Sequence, residues 1–220
     1  NTGDVTNALA TIINDRANHP AYLRYNGKPV IYFWNQGRFS NAEWQAIRNQ
    51  VDPGHNTIWV AEGTNTGVLS VFDGLYLFNT AWAGNPASVA AQWKNRVAAA
   101  GGTFYTPTVL PGWDESALAA GRPNPTSPRA RNNGQFLTNS WNGAVSSGAN
   151  AILIVSWNEY FENSHIEPSQ VYGTQSLDTL RPLVAAWKGG GSAPAASGGP
   201  AGSPTGVTYT VNSNLRLRSA

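Results

Sequence analysis

The sequence predicts an α/β chain carrying part of a (β/α)8 barrel of the TIM type, an incomplete fragment of about the last five strand–helix units. Strand-like and helix-like segments alternate between residues 28 and 188, and the strand segments are near-continuous apolar runs, as in parallel sheets wrapped by helices. No glycine-rich phosphate loop follows any strand. Aromatic and polar side chains recur just past the strand ends, at Trp34-Asn35, Glu62, Asn79 with Trp82, Trp113-Asp114 and Asn158-Glu159. That rim is where such a barrel carries its chemistry. The fold needs eight strands in typically about 250 residues, so five strands within 1–188 imply that three precede this chain, residues 4–18 being the tail of an earlier helix.

Each element has its own signal. Residues 28–34 (KPVIYFW) read as a buried strand, and Ser40 with Glu43 forms a capping box opening a helix to about Val51. Asp52-Pro53-Gly54 is a turn. Residues 57–61 form the second strand, which puts Glu62 on the rim, open to substrate contact or to structural use. Residues 72–79 (FDGLYLFN) are the third strand, with Asp73-Gly74 closing the turn before it. Pro86 to Ser88 start a helix that stops at Gly101-Gly102. Residues 103–110 are the fourth strand, and 129–147 a helix with Phe136, Leu137, Trp141 and Val145 near one face. Arg129 and Arg131, at its start, are read as solvated. Residues 151–156 are the fifth strand and 176–187 the last helix.

Composition excludes several function classes. The chain has 220 residues, 14 Lys+Arg against 12 Asp+Glu, and no Cys. The excess of +2 comes from Arg216 and Arg218, so no basic face for nucleic acid is expected. Absence of Cys removes thiol nucleophiles, disulfides and thiolate metal sites. No apolar run approaches the roughly 20 residues of a membrane-spanning helix. The chain opens on Asn1, lacks Met and shows no leader, which is read as a piece of a longer, processed precursor working outside the cell or at its surface. Residues 189–206 contain only Gly, Ala, Ser, Pro and Thr, a flexible tether. Three parts follow: 1–188, the linker, and a short alternating segment, 207–220.

Three of the twelve carboxylates, Glu159, Glu162 and Glu167, fall within nine residues of one strand exit. Glycosidic cleavage needs two carboxyl groups flanking one bond, one delivering a proton to the leaving oxygen and the other acting across the ring. Glu159 and Glu162, three apart, can both face one cleft. Trp34, Trp82 and Trp113 are candidate sugar platforms or core residues, and Asp114, Asn158, Tyr160, His165 and Glu167 candidate polar or stacking contacts. Glu162-x-x-His165 matches half of a di-iron helix motif, but only one copy exists and it lies on a loop. No metal or cofactor is expected. No Gly-x-Ser-x-Gly elbow is present for an esterase.

The order FDGLYLFNTAW, a helix with Trp93, FYTPTVLPGWDES, a Gly-Arg-Pro-Asn loop, a helix with Trp141 and ILIVSWNEYFENSHIEPS resembles glycoside hydrolase family 99, the endo-α-mannosidases, from about residue 28 to 187. The resemblance implies a (β/α)8 barrel and retention of anomeric configuration. It implies Glu159 as base on the sugar's own 2-hydroxyl, giving an epoxide-like intermediate, and Glu162 as acid on the leaving group and then base on water. Where the family usually has Trp-His-Glu-Gly-Thr-Gln, this chain has Tyr160-Phe161-Glu162-Asn163-Ser164-His165. The Ser164-His165 pair is similar to a neighbouring family of α-1,3-glucanases. A non-catalytic sugar- or cell-wall-binding barrel is the alternative. Asn214-Leu215-Arg216-Leu217-Arg218 resembles the start of a bacterial SH3-like module, which implies contact with the cell wall.

Overall fold

A computed structural model of the chain describes residues 1–121 and 126–189. The linker after Gly189, the 207–220 segment and residues 122–125 of the Gly-Arg-Pro-Asn loop lie outside the described residues. The elements are α1 (Thr2–Asn14), β1 (Arg24–Tyr25), β2 (Lys28–Phe33), α2 (Asn41–Val51), β3 (Ile58–Glu62), β4 (Gly74–Tyr76), α3 (Pro86–Ala99), β5 (Phe104–Thr106), β6 (Thr108–Val109), α4 (Gln135–Ser146), β7 (Leu153–Ile154) and α5 (Gln175–Lys188).

Strands β2, β3, β4 and β5 pair in parallel and in chain order. Pro107 alone separates β5 from β6, because a residue without an N–H interrupts a ladder. Its carbonyl still accepts from Leu153 N at 3.1 Å, and β6 pairs with β7 in parallel. The five predicted strands therefore lie in sequential order. Ile31, Phe33, Trp59, Ala61, Leu75 and Tyr105 point to one side and pack with Leu9, Trp44, Ile47, Trp93 and Val97 of the helices. Val30, Val60, Tyr76 and Phe104 point to the other, and meet Tyr25, Tyr32, Ile58, Phe78 and Leu153 without helical residues. Sequential order with helices on one face is a curled partial barrel; a doubly wound sheet would carry them on both.

Most caps form as expected. The Ser40 hydroxyl accepts from Glu43 N, and the Glu43 carboxylate accepts from Ser40 N at 2.8 Å. These bonds favour the ionised form and lower the Glu43 pKa. Asp73 ties the arc to α2: its Oδ2 accepts from Trp59 N and from Arg48 Nη2, both at 2.8 Å. Gly74 is required at its place, since a Cβ there would lie 1.9 Å from Phe104 O.

Three details differ from the sequence reading. The crossover between β3 and β4 holds a short 3₁₀ turn, Thr66–Ser70, in place of a helix, because the connection is too short for one. The fourth helix starts at Gln135 and not at 129, because Asn132, Asn133 and Gly134 all have positive φ and cannot continue a helix. Upstream, β1 and β2 form a hairpin whose two-residue turn, Asn26-Gly27, has φ of 48° and 80°, the left-handed pair that Asn-Gly favours.

Candidate active site

The exits of the parallel strands form one rim. Past β2, Trp34 is 65% exposed and sets its ring edge-on to Phe78 at 5.2 Å. At the last position of β3, the half-buried Glu62 accepts from Phe78 N at 3.4 Å, and burial raises its pKa. Tyr76 lies close enough that burial and the Glu62 charge push its phenol up to about 12. Past β4, Trp82 is 52% exposed, yet its indole N–H donates to Asn79 O at 2.9 Å. The Arg129 guanidinium holds the same loop through Ala81 O at 2.7 Å. Arg129 is thus engaged and half-buried, where the sequence suggested a solvated cation.

Past β6, Trp113 is 1% exposed and packs with Ala81, Leu110 and Val155. It is a wall residue, not a platform, because neither ring face is open to a sugar. Asp114 is half-buried, and Ser116 N at 3.0 Å holds its carboxyl below the usual carboxylate range. The Asp114 N–H donates to Glu162 O at 2.8 Å, joining this loop to the one past β7. Its neighbour Glu115 is buried and accepts from Thr126 N at 2.5 Å. Glu115 carries no motif of its own in the sequence. Its only signal was its place after the rim dipeptide Trp113-Asp114.

The loop past β7 folds into a tight turn. Ser156 N donates to Ser164 O at 2.9 Å, Ile166 N to Ser156 O at 2.9 Å, and Ser164 N to Glu159 O at 3.2 Å. The Ser156 and Ser164 hydroxyls are 3.1 Å apart, with Ser164 fully buried. Glu159 is exposed beside exposed Asn158, whereas Glu162 is only 8% exposed. Tyr160 and Phe161, between the carboxylates, are exposed. The differences from the family pattern therefore divide: Tyr160 and Phe161 lie at the surface, while Ser164 and His165 lie beneath it.

His165 is 5% exposed and stacks under Tyr160 at 4.3 Å between centroids. A direct substrate contact through His165 is corrected on that ground, since Tyr160 covers its ring. Burial, with the Arg131 charge, pulls its pKa down to about 4. Glu167 accepts from the Tyr160 hydroxyl at 2.8 Å, and burial and this partner push the phenol up to about 12. Arg131, expected to be solvated, is buried. Among the described residues no three His, Cys, Asp or Glu side chains gather as a metal site, and no helix is long and apolar enough to cross a membrane.

The sequence profile of glycosyl hydrolase family 99 matches residues 1–181. The mouse glycoprotein endo-alpha-1,2-mannosidase is 26% identical over 189 residues, covering 76% of this chain and 40% of that protein. The human glycoprotein endo-alpha-1,2-mannosidase-like protein is 27% identical, with 71% and 38% covered. The chain thus spans about two fifths of the length of these curated relatives. Among solved structures, the endo-alpha-mannosidase of Bacteroides thetaiotaomicron superposes with a TM-score of 0.62 at 27% identity, over 76% of this chain and 52% of that one. A glycoside hydrolase-like protein superposes at 0.64 with 17% identity, over 82% and 60%, a likeness of fold.

Proposed function

The chain belongs to glycosyl hydrolase family 99, and from that premise we propose that it carries the acid–base residues of a retaining, endo-acting glycosidase for α-linked mannose-type oligo- or polysaccharides. Glu159 takes the proton of the sugar's 2-hydroxyl as that oxygen attacks the anomeric carbon. Glu162 protonates the departing oxygen as its bond to that carbon breaks. Water then opens the epoxide-like intermediate, giving its proton to Glu162, while the 2-oxygen recovers its proton from Glu159. The observation that carries this reading is the asymmetry of the pair: Glu159 is exposed and Glu162 buried at the exit of one strand. Glu162 is thereby placed to deliver a proton away from bulk water, and the exposed Glu159 to meet the sugar's 2-hydroxyl. The exposed rings of Trp34, Trp82 and Tyr160 supply sugar platforms, with Glu62, Asp114 and Asn158 as polar contacts. The substrate is one met outside the cell or at its surface, and the 207–220 segment is the candidate for cell-wall contact.

The test is made on the full-length protein. Glu162→Gln is expected to slow substrates with poor leaving groups by roughly 10²–10⁴-fold and to spare activated aryl α-mannosides, which depart without a proton. Glu159→Gln slows both, and a 2-deoxy substrate is inert to the unmutated enzyme. Losses below tenfold for both variants overturn the assignment and leave a carbohydrate-binding rim.

A further inference from the structure

The turn that carries Glu159 and Glu162 is held from outside by Arg131. Arg131 is 6% exposed. Its Nη2 donates to His165 O at 2.8 Å and to Asn163 O at 3.0 Å, and its Nη1 donates to Ser176 Oγ at 3.0 Å in the first turn of α5. The guanidinium carbon lies 3.9 Å from the centroid of the Tyr172 ring. Gly112 lets it pass, since a Cβ there would come within 2.7 Å of Arg131 Cγ. The two carbonyls it holds belong to the residues on either side of Ser164, just past Glu162.

The clamp reaches Tyr160 through His165. Arginine can only donate, so the His165 Nδ1 at 3.5 Å from Nη2 faces it as the unprotonated nitrogen. The neutral imidazole then lies under Tyr160, nearly parallel at 28°. Glu167 fixes the far end of the Tyr160 ring through its hydroxyl. Covered on one face and tied at its tip, Tyr160 remains 47% exposed. An aromatic ring already immobilised binds a sugar face with little further loss of freedom.

We propose that Arg131 is a positioning residue, fixing the 156–167 turn so that Tyr160 presents its open face as a rigid platform for a sugar ring beside Glu159 and Glu162. The ligand class rests on the glycosidase reading. A lysine cannot replace the guanidinium, because a single ammonium lacks the planar fork that spans two carbonyls and a hydroxyl.

The first test needs no sugar. In the full-length protein, Arg131→Gln is expected to speed amide exchange at Ser164, Ile166 and Glu167 at least tenfold while Val60 and Leu75 keep their protection. The His165 titration followed by NMR should rise by one pH unit or more once its neighbouring cation is gone, with Glu167, Tyr160 and Tyr172 left around it. Exchange within twofold of the parent together with an unmoved titration overturns the proposal. Should Arg131→Gln fail to fold, Arg131→Lys is expected to loosen the same three amides by a smaller factor, and no loosening there overturns it equally. The second test uses linear α-linked mannotetraose and calorimetry. Arg131→Gln and Tyr160→Leu should each weaken binding at least fivefold, and the double variant should be no weaker than the worse single one; additive losses overturn the coupling. A full-length parent that binds no mannotetraose overturns the ligand class, while exchange and titration still decide whether Arg131 positions the ring.

Discussion

The Asn150 side-chain amide donates to the Tyr25 hydroxyl at 2.9 Å, joining residues 125 positions apart. Tyr25 lies in the hairpin before the first parallel strand and Asn150 just before the last. Asn150 also accepts from Tyr105 N at 2.9 Å, and the Tyr25 ring meets Phe104 edge-on at 5.2 Å. The two ends of the curled sheet are therefore linked at the end opposite the candidate active site. Asn150→Ala leaves the Tyr105 N–H and the Tyr25 hydroxyl without this partner, and should lower stability by about 1–3 kcal/mol in urea unfolding. Tyr25→Phe, which removes one bond and keeps the ring, should cost about 1 kcal/mol or less.

Arg48 carries a charge at 1% exposure, matched by Asp73 at 2.8 Å and more distantly by Asp52 at 4.0 Å. Removing one partner of a buried pair leaves an uncompensated charge. Asp73→Ala, which also strips Trp59 N of its acceptor, should destabilise the chain by about 3–5 kcal/mol, read as a fall in the urea midpoint. Asp178→Ala, whose partners Arg181 and the Thr174 hydroxyl are both on the surface, should change that midpoint by less than about 1 kcal/mol in equivalent stability.

The His165 environment sets a pH window. Its folded pKa of about 4 lies below the value of about 6.5 for the unfolded chain. The unfolded state therefore binds more protons between these values, so stability is full above pH 6.5 and falls as the pH drops toward 4. The loss attributable to this group should be on the order of 1–3 kcal/mol, and His165→Phe should flatten that part of the profile. A profile equally steep in both proteins would assign the loss elsewhere.

Gly143 of α4 packs directly on α3, where a Cβ would come 2.3 Å from Ala87 Cα. Gly143→Ala improves helix propensity but drives the two helices apart. Overpacking should win, lowering the thermal midpoint with a cost of about 1–3 kcal/mol. Gly148→Ala meets nothing within 4 Å but sits at φ of 69°, so its cost is one of backbone strain, of order 1 kcal/mol.

Trp82→Ala and Trp34→Ala, by contrast, should leave the urea midpoint within about 0.5 kcal/mol. Under the proposed glycosidase function, measured on the full-length protein, they should raise KM with little change in kcat, since an exposed platform holds ground state and transition state alike.

What the sequence made legible follows from how local each signal was. The Ser40–Glu43 capping box, the Gly101 stop and the apolar strand runs depend on neighbours in the chain, and each stands where expected. Asn26-Gly27, a hairpin signal of the same local kind, was overlooked. The run Asn132-Asn133-Gly134 overrode helical periodicity with three left-handed residues, which no count of apolar spacing registers. Trp113 and Trp82 carry the same residue type at equivalent strand exits, yet one is wall and the other is open, because burial depends on what the neighbouring loops bring. Arg131 was read as solvated for the same reason: its acceptors, Asn163, His165 and Ser176, are more than thirty positions away.

Sequential strand order also bears on how the chain acquires this shape. Each parallel strand pairs with the next one to emerge, so every step closes only a modest loop, and loop-closure entropy grows slowly with length. Folding can then advance strand by strand from the hairpin. The contact between Tyr25 and Asn150 breaks that pattern, because it spans nearly the whole arc. It belongs to the final stage, so Tyr25→Phe should speed unfolding and leave the folding rate almost unchanged.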